Sequence, residues 1–186
     1  MKFMYKTKEF IGVVGEKMDV SFVMEYLSKY GAIFLFLIIL LEYMNLPGFP
    51  AGIIMPVAGI LSANGRLSLI MTLIISLFAG LVGSWILYGI GFYGGELFLT
   101  KFMKKFPKQQ EKILSWIQWV KNKGPIGIFI AKLIPMIRTL ISIPAGVAKM
   151  NFLKYTLFSG LGIFVWNFFF IGAGYVFGEA VFQYIK

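Results

Sequence analysis

The chain has 186 residues, of which 59% are hydrophobic and 18% aromatic, and its mean hydropathy is +0.81, which excludes a soluble globule and points to one polytopic membrane domain. Its net charge of +10 reads as loops gathered on one membrane face rather than as a nucleic-acid surface. With no cysteine and no histidine, disulfides, thiolate chemistry and the commonest metal ligand and general base are all removed.

Residues 1–30 mix Lys2, Lys6, Lys8, Lys17 and Lys29 with Phe3, Phe10, Ile11, Val13, Val14, Phe22, Val23 and Leu27. This interleaving predicts an amphipathic N-terminal segment on the bilayer surface, with a disordered basic tail as the alternative. The segment lacks the charged start, apolar core and cleavage site of a signal peptide. Residues 31–46, GAIFLFLIILLEYMNL, predict a first spanning helix, which must start before Tyr30 to reach a span of ~20 residues. Glu42 lies in its second half, where a carboxylate is costly in lipid and is a functional candidate; the alternative is an interfacial acid near the helix end.

Residues 47–65, PGFPAGIIMPVAGILSANG, set Pro47, Pro50 and Pro56 among Gly48, Gly52, Gly59 and Gly65 within an apolar run. Broken backbone survives at membrane depth only where protein buries it or water lines it, so the stretch predicts a re-entrant hairpin. Residues 66–95 predict a long spanning helix, whose Ala79 and Gly83 have a small-xxx-small spacing suited to close packing. Residues 96–123 carry Lys101, Lys104, Lys105, Lys108, Lys112, Lys121 and Lys123 interleaved with Trp116, Ile117, Trp119 and Val120, a basic amphipathic linker at the lipid headgroups.

The stretch 124–150, GPIGIFIAKLIPMIRTLISIPAGVAKM, holds Lys132 and Arg138 within an apolar run that also carries Pro125, Pro135, Pro144 and Gly146. A charge at the bilayer centre costs roughly 2.5–3.5 kcal/mol on insertion scales. The pattern predicts a second re-entrant hairpin with two cations near its tip, the alternative being a kinked spanning helix with snorkelling cations. Residues 152–180 predict the last spanning helix, with Trp166 and Asn167 inside it.

The chain repeats itself. Met55-Pro56-Val57-Ala58-Gly59 leads to a helix ending Gly91-Phe92-Tyr93-Gly94-Gly95-Glu96, and Ile143-Pro144-Ala145-Gly146 leads to one ending Gly174-Tyr175-Val176-Phe177-Gly178-Glu179, with Trp85 and Trp166 in comparable places. Paired interrupted segments in two halves are a pointer to a transporter's binding site. If only three segments cross, residues 1–30, 96–123 and 149–154 share one face and carry fourteen lysines, which places the N-terminus in the cytoplasm. The expected fold is an all-α polytopic membrane protein over residues 31–186: an inverted repeat of re-entrant hairpin plus transmembrane helix. The hairpin tips meet near the midplane, where Lys132, Arg138 and Glu42 share a polar cavity.

Glu42 ahead of LPGFPAGIIMPVAGIL, the glycine-rich GIGFYGGE, and KLIPMIR followed by PAG together resemble the DedA family, the bacterial branch of the VTT (SNARE-associated) membrane proteins, over about residues 35–180. Lys132, Pro135 and Arg138 fall on the family's pattern of two basic residues flanking a proline, with lysine in place of the usual first arginine. Gly52 stands where the family often has a second acid. The resemblance implies a multi-pass protein of the bacterial plasma membrane. It implies a flippase or scramblase of lipids with phosphate headgroups, either undecaprenyl phosphate or a phospholipid such as phosphatidylethanolamine. The residue chemistry agrees, because a phosphate crossing hydrocarbon needs cations to offset its desolvation. Lys132 and Arg138 supply two, and Glu42 could neutralise them in the empty state or exchange a proton. Pro47, Pro50, Pro56, Gly59, Pro135, Pro144 and Gly146 shape the hairpins. No cofactor, metal or nucleic acid is expected, protons and self-association are left open, and the alternative is a proton- or ion-coupled transporter of a small solute. An enzyme is disfavoured by the missing histidines and the single aspartate, Asp19, and a structural scaffold leaves the midplane charges unexplained.

Overall fold

The computed structural model describes residues 20–44, 54–65, 67–105, 110–135 and 137–185, and every regular element among them is an α-helix. These are α1 (Val20–Tyr43), α2 (Ile54–Ala63), α3 (Leu69–Lys105), α4 (Gln110–Lys132), α5 (Ile137–Leu140), α6 (Ser142–Val147) and α7 (Phe152–Ile185). Pro47 and Pro50, and most of the N-terminal segment, lie outside the described residues.

Among the described residues, two helices are long and apolar enough to cross a membrane, Leu69–Gly95 within α3 and Phe152–Phe177 within α7. Their outward faces carry apolar side chains at helical spacing: Ile70, Ile74 and Phe78 on α3, and Leu153, Leu157 and Leu161 on α7 are all exposed. Their inward faces are where Thr72, Ser76, Ser84, Tyr155, Ser159 and Asn167 are buried. Apolar outside and polar inside is the reverse of a water-soluble helix and suits lipid, where only protein can satisfy a polar group.

The first expected spanning helix, 31–46, starts before Tyr30 as α1, and its residues 45 and 46 lie outside the described residues. Gly31 (φ 54°, ψ −128°) kinks α1. The apolar arm beyond it, Gly31–Tyr43, runs about 20 Å at ~1.5 Å per residue, against a hydrocarbon core of ~30 Å. Gly124 (φ 59°) kinks α4 in the same way, and Pro125 follows it, at the start of the new segment. There the proline ring fits the helix and its missing N–H had no partner to lose.

Both long helices start at a capped turn. The Met71 N–H donates to Ser68 Oγ at 3.2 Å ahead of α3, and the Lys154 N–H donates to Asn151 Oδ1 at 3.1 Å ahead of α7. The short helices before them end on left-handed residues, Gly65 (φ 73°) and Lys149 (φ 50°). At the second of these, Lys149 N–H to Gly146 O and Met150 N–H to Ala145 O close a Schellman motif.

The chain divides into two compact units, residues 1–79 with 167–186 and residues 80–166. Within each unit a short helix packs backbone-to-backbone on a long one at glycine. In the first unit, a Cβ on Gly59 would strike the carbonyl oxygen of Ile171, and one on Gly174 that of Pro56. In the second, a Cβ on Gly146 would strike the carbonyl oxygen of Tyr88, and one on Gly91 that of Ile143. A shift of 87 residues carries Pro56 onto Ile143 and Gly59 onto Gly146; a shift of 83 carries Gly91 onto Gly174 and Tyr88 onto Ile171. The contact register therefore matches Pro56 with Ile143 rather than Pro144, and Trp85 with Phe168 rather than Trp166. Pro56 and Pro144 are each third in their helices, α2 and α6. First-turn N–H groups have no intrahelical acceptor, so these prolines begin helices rather than break them.

Candidate functional site

Lys132 is the last residue of α4, and its side chain is 1% exposed. The helix tightens as it ends, with Leu133 N–H to Ile130 O at 3.0 Å and Ile134 N–H to Ala131 O at 3.2 Å. Pro135 then has no N–H to offer, and the chain restarts one turn later as α5, where the Ile137 N–H donates to Pro135 O at 2.8 Å. Arg138 sits on that single turn, 3% exposed. The expected break between the two cations is thus present at Pro135.

The Lys132 ammonium donates to Ser84 Oγ on α3 at 2.9 Å and to Ser142 Oγ on α6 at 3.1 Å. The Tyr155 hydroxyl on α7 donates to the Ser84 carbonyl oxygen at 3.1 Å. Tyr155 stacks on Tyr88, ring centroids 4.6 Å apart, and the Tyr88 hydroxyl donates to the Met150 carbonyl oxygen. Four helices therefore converge on one buried amine. The approach is close: a Cβ on Gly162 of α7 would lie 2.5 Å from Lys132 Cβ. The apolar floor consists of Val120, Ile128, Ala131, Ile141 and Ala145. Val120, read from the sequence as part of a face meeting lipid headgroups, is buried in that floor, while Lys121 and Lys123 on the same helix are exposed. The Arg138 guanidinium lies over the Trp166 ring, 5.1 Å from its centroid.

Glu42 belongs to the first unit, on the apolar arm of α1, and is 3% exposed. Its neighbour Tyr43 donates through its hydroxyl to Asn167 Oδ1 at 3.0 Å, and Asn167 Nδ2 donates to Ser76 Oγ at 3.1 Å. The 83-residue shift carries Ser84 onto Asn167 and Ser76 onto Ser159, so each unit buries polar side chains at matching helix positions. The structure thus places Lys132 and Arg138 in one unit, on either side of one break, and Glu42 in the other unit. Sequence reasoning did not select Ser84, Ser142, Tyr155 or Gly162. Polar outliers on the inward faces of two otherwise apolar helices were the available signal, and the 83-residue spacing between them would have paired them.

A VTT domain is matched across residues 49–176. The chain is 38% identical over 148 residues to Undecaprenyl phosphate transporter A of Staphylococcus aureus, a match covering 77% of this chain and 72% of that protein. It is 32% identical over 130 residues to Undecaprenyl phosphate transporter A of Bacillus subtilis, covering 70% and 66%. It is 28% identical over 162 residues to Protein DedA of Escherichia coli, covering 83% and 73%. No solved structure matches the chain. On the domain match and these likenesses, the chain belongs to the VTT domain family, as a DedA-type membrane protein.

Proposed function

We propose that the chain carries a lipid with a phosphate headgroup between the two leaflets of the bacterial plasma membrane, and that Arg138 and Lys132 hold the headgroup. The observation that carries this reading is the pair of buried cations on either side of the Pro135 break, 3% and 1% exposed, in a unit built around apolar helices. Charges are retained at such depth where they serve a polar passenger or a partner. Arginine offers a planar fork of donors to phosphate oxygens, and lysine offers a point charge. The names of two relatives make undecaprenyl phosphate the first lipid to test and a phospholipid such as phosphatidylethanolamine the second.

In this reading the stretches on either side of each break are the arms of re-entrant hairpins. The short Gly31–Tyr43 arm supports a wider first hairpin than the sequence alone suggests, with α2 as its returning arm. The matched glycine contacts of the two units support an inverted repeat. The lipid's tail stays in the bilayer while its headgroup passes through the protein. The buried carboxyl of Glu42 supports a second reading, a proton-coupled transporter of a small solute.

The test is reconstitution of the full chain in vesicles, with labelled undecaprenyl phosphate and labelled phosphatidylethanolamine measured side by side. Headgroup translocation above protein-free vesicles is expected. Ion flux without headgroup movement would replace this reading with the second one.

A further inference from the structure

Trp166 has no counterpart in the other half of the chain. The contact register matches it with Gly83, whereas Trp85 is matched with Phe168 and is tied to α7 by donating from its indole nitrogen to Thr156 Oγ1 at 3.0 Å. Its place under Arg138 is therefore not a by-product of the repeat. Resting on the reading that Arg138 holds the headgroup, we propose that Trp166 is the positioning residue for that arginine. Its indole face backs the guanidinium and fixes the plane in which the N–H fork meets a phosphate.

Such a contact limits how the Arg138 side chain can turn. The residue stands on α5, which runs on into α6 through the Ile141 N–H to Ile137 O bond, and its own N–H donates to Ile134 O at 3.0 Å. The arginine side chain carries several rotatable bonds whose freedom must be lost before a bidentate contact forms. Trp166, by contrast, lies within α7, the longest uninterrupted apolar span of the second half. Stacking a guanidinium 5.1 Å from the ring centroid falls within the ~6 Å reach of a cation–π contact. The contact is made with the π face of the ring, which offers no oxygen acceptor, while the guanidinium has five N–H donors. The ring thus orients the fork without competing for the oxygens it would bind. It also lends the cation partial compensation in a low-dielectric setting that persists whether or not a headgroup is present.

The experiment uses the purified full chain in detergent and a short-chain prenyl phosphate as probe. Binding is measured for the wild type, Trp166→Phe, Trp166→Leu, Arg138→Gln and the double variant Trp166→Leu with Arg138→Gln. Trp166→Leu is expected to weaken binding by about tenfold, and Trp166→Phe, which keeps a π face, by about threefold or less. In the Arg138→Gln background, Trp166→Leu should weaken binding no further, because the ring then has no cation to hold. A space-filling role would instead lower the thermal midpoint of both Trp166 variants and act equally in both backgrounds. If Trp166→Leu does not fold, Trp166→Met fills the space without a ring and takes its place. Unchanged binding in Trp166→Leu, or equal weakening with and without the arginine, overturns the proposal. Arg138→Gln binding as tightly as wild type overturns the headgroup reading beneath it, which separates the two failures.

Discussion

At the scale of residues, the two cations differ in what they can lose. Arg138→Lys keeps the charge and removes the fork, so headgroup translocation should fall clearly, roughly tenfold or more, because one of two charge-assisted hydrogen bonds, worth about 1.5–3 kcal/mol, is lost. Lys132→Arg adds a bulkier group where Gly162 already presses on the side chain, but it keeps the charge, and transport should persist within a few-fold of wild type. Both are read as initial rates in vesicles at matched protein density, and equal rates for Arg138→Lys and wild type would remove the fork from the argument. Ser84→Ala leaves one donor of the buried Lys132 amine without its acceptor and should cost about 1–3 kcal/mol of stability, seen as a lower thermal midpoint in detergent. The charges were legible in the sequence because a lysine and an arginine in an apolar run stand out by cost alone. The serines were not, because a single hydroxyl in an apolar helix is cheap. Only the fold reveals that Ser84 and Ser142, far apart in sequence, meet at one amine.

At the scale of elements, glycine decides where helices touch. Gly146→Ala puts a methyl group against the Tyr88 carbonyl and should destabilise the protein by about 1–3 kcal/mol, whereas Gly89→Ala, one residue along the same long helix from Tyr88, meets nothing within 4 Å and should be neutral or stabilising by about 0.5–1 kcal/mol. Similar losses at both positions would mean that the close contact of α6 with α3 does not govern stability. Lys149 is a different case. It occupies the left-handed cap of α6 with a side chain that disfavours it, so Lys149→Gly should raise stability by about 1 kcal/mol, measured as thermal unfolding in detergent. The interruptions at 124 and 135 were readable because both residue types disfavour a continuous helix, proline by its missing N–H and glycine by its freedom to take a positive φ. The roles of Pro56, Pro144 and Gly146 were not, because a proline in a helix's first turn and a glycine at a helix crossing have the same sequence signature as a breaker. The contact register separates those cases.

At the scale of the whole molecule, the number of crossings sets which segments share a face. The sequence alone favoured three, because a crossing at 31–46 gathers fourteen lysines on one side. Among the described residues, the arm Gly31–Tyr43 is shorter than a full span, and two helices are long enough. With two crossings, residues 96–123 and 149–154 share one face with nine lysines, and residues 1–30, Arg66 and Lys186 share the other with six lysines and one arginine. The two topologies thus differ in lysine asymmetry: three crossings favour a cytoplasmic N-terminus and two leave the faces near balance. The chain contains no cysteine, so single cysteines report cleanly. A cysteine placed at Asn64 and one placed at Lys149, both exposed positions next to the short helices, should be labelled from opposite faces by a membrane-impermeant reagent. The sharper outcome is at the start of the chain. With two crossings, a cysteine at Lys2 is labelled from the same face as the one at Asn64; with three, from the opposite face. Labelling Lys2 and Asn64 from opposite faces would restore a spanning first helix, and with it the fourteen-lysine face and the narrower first hairpin at 47–65.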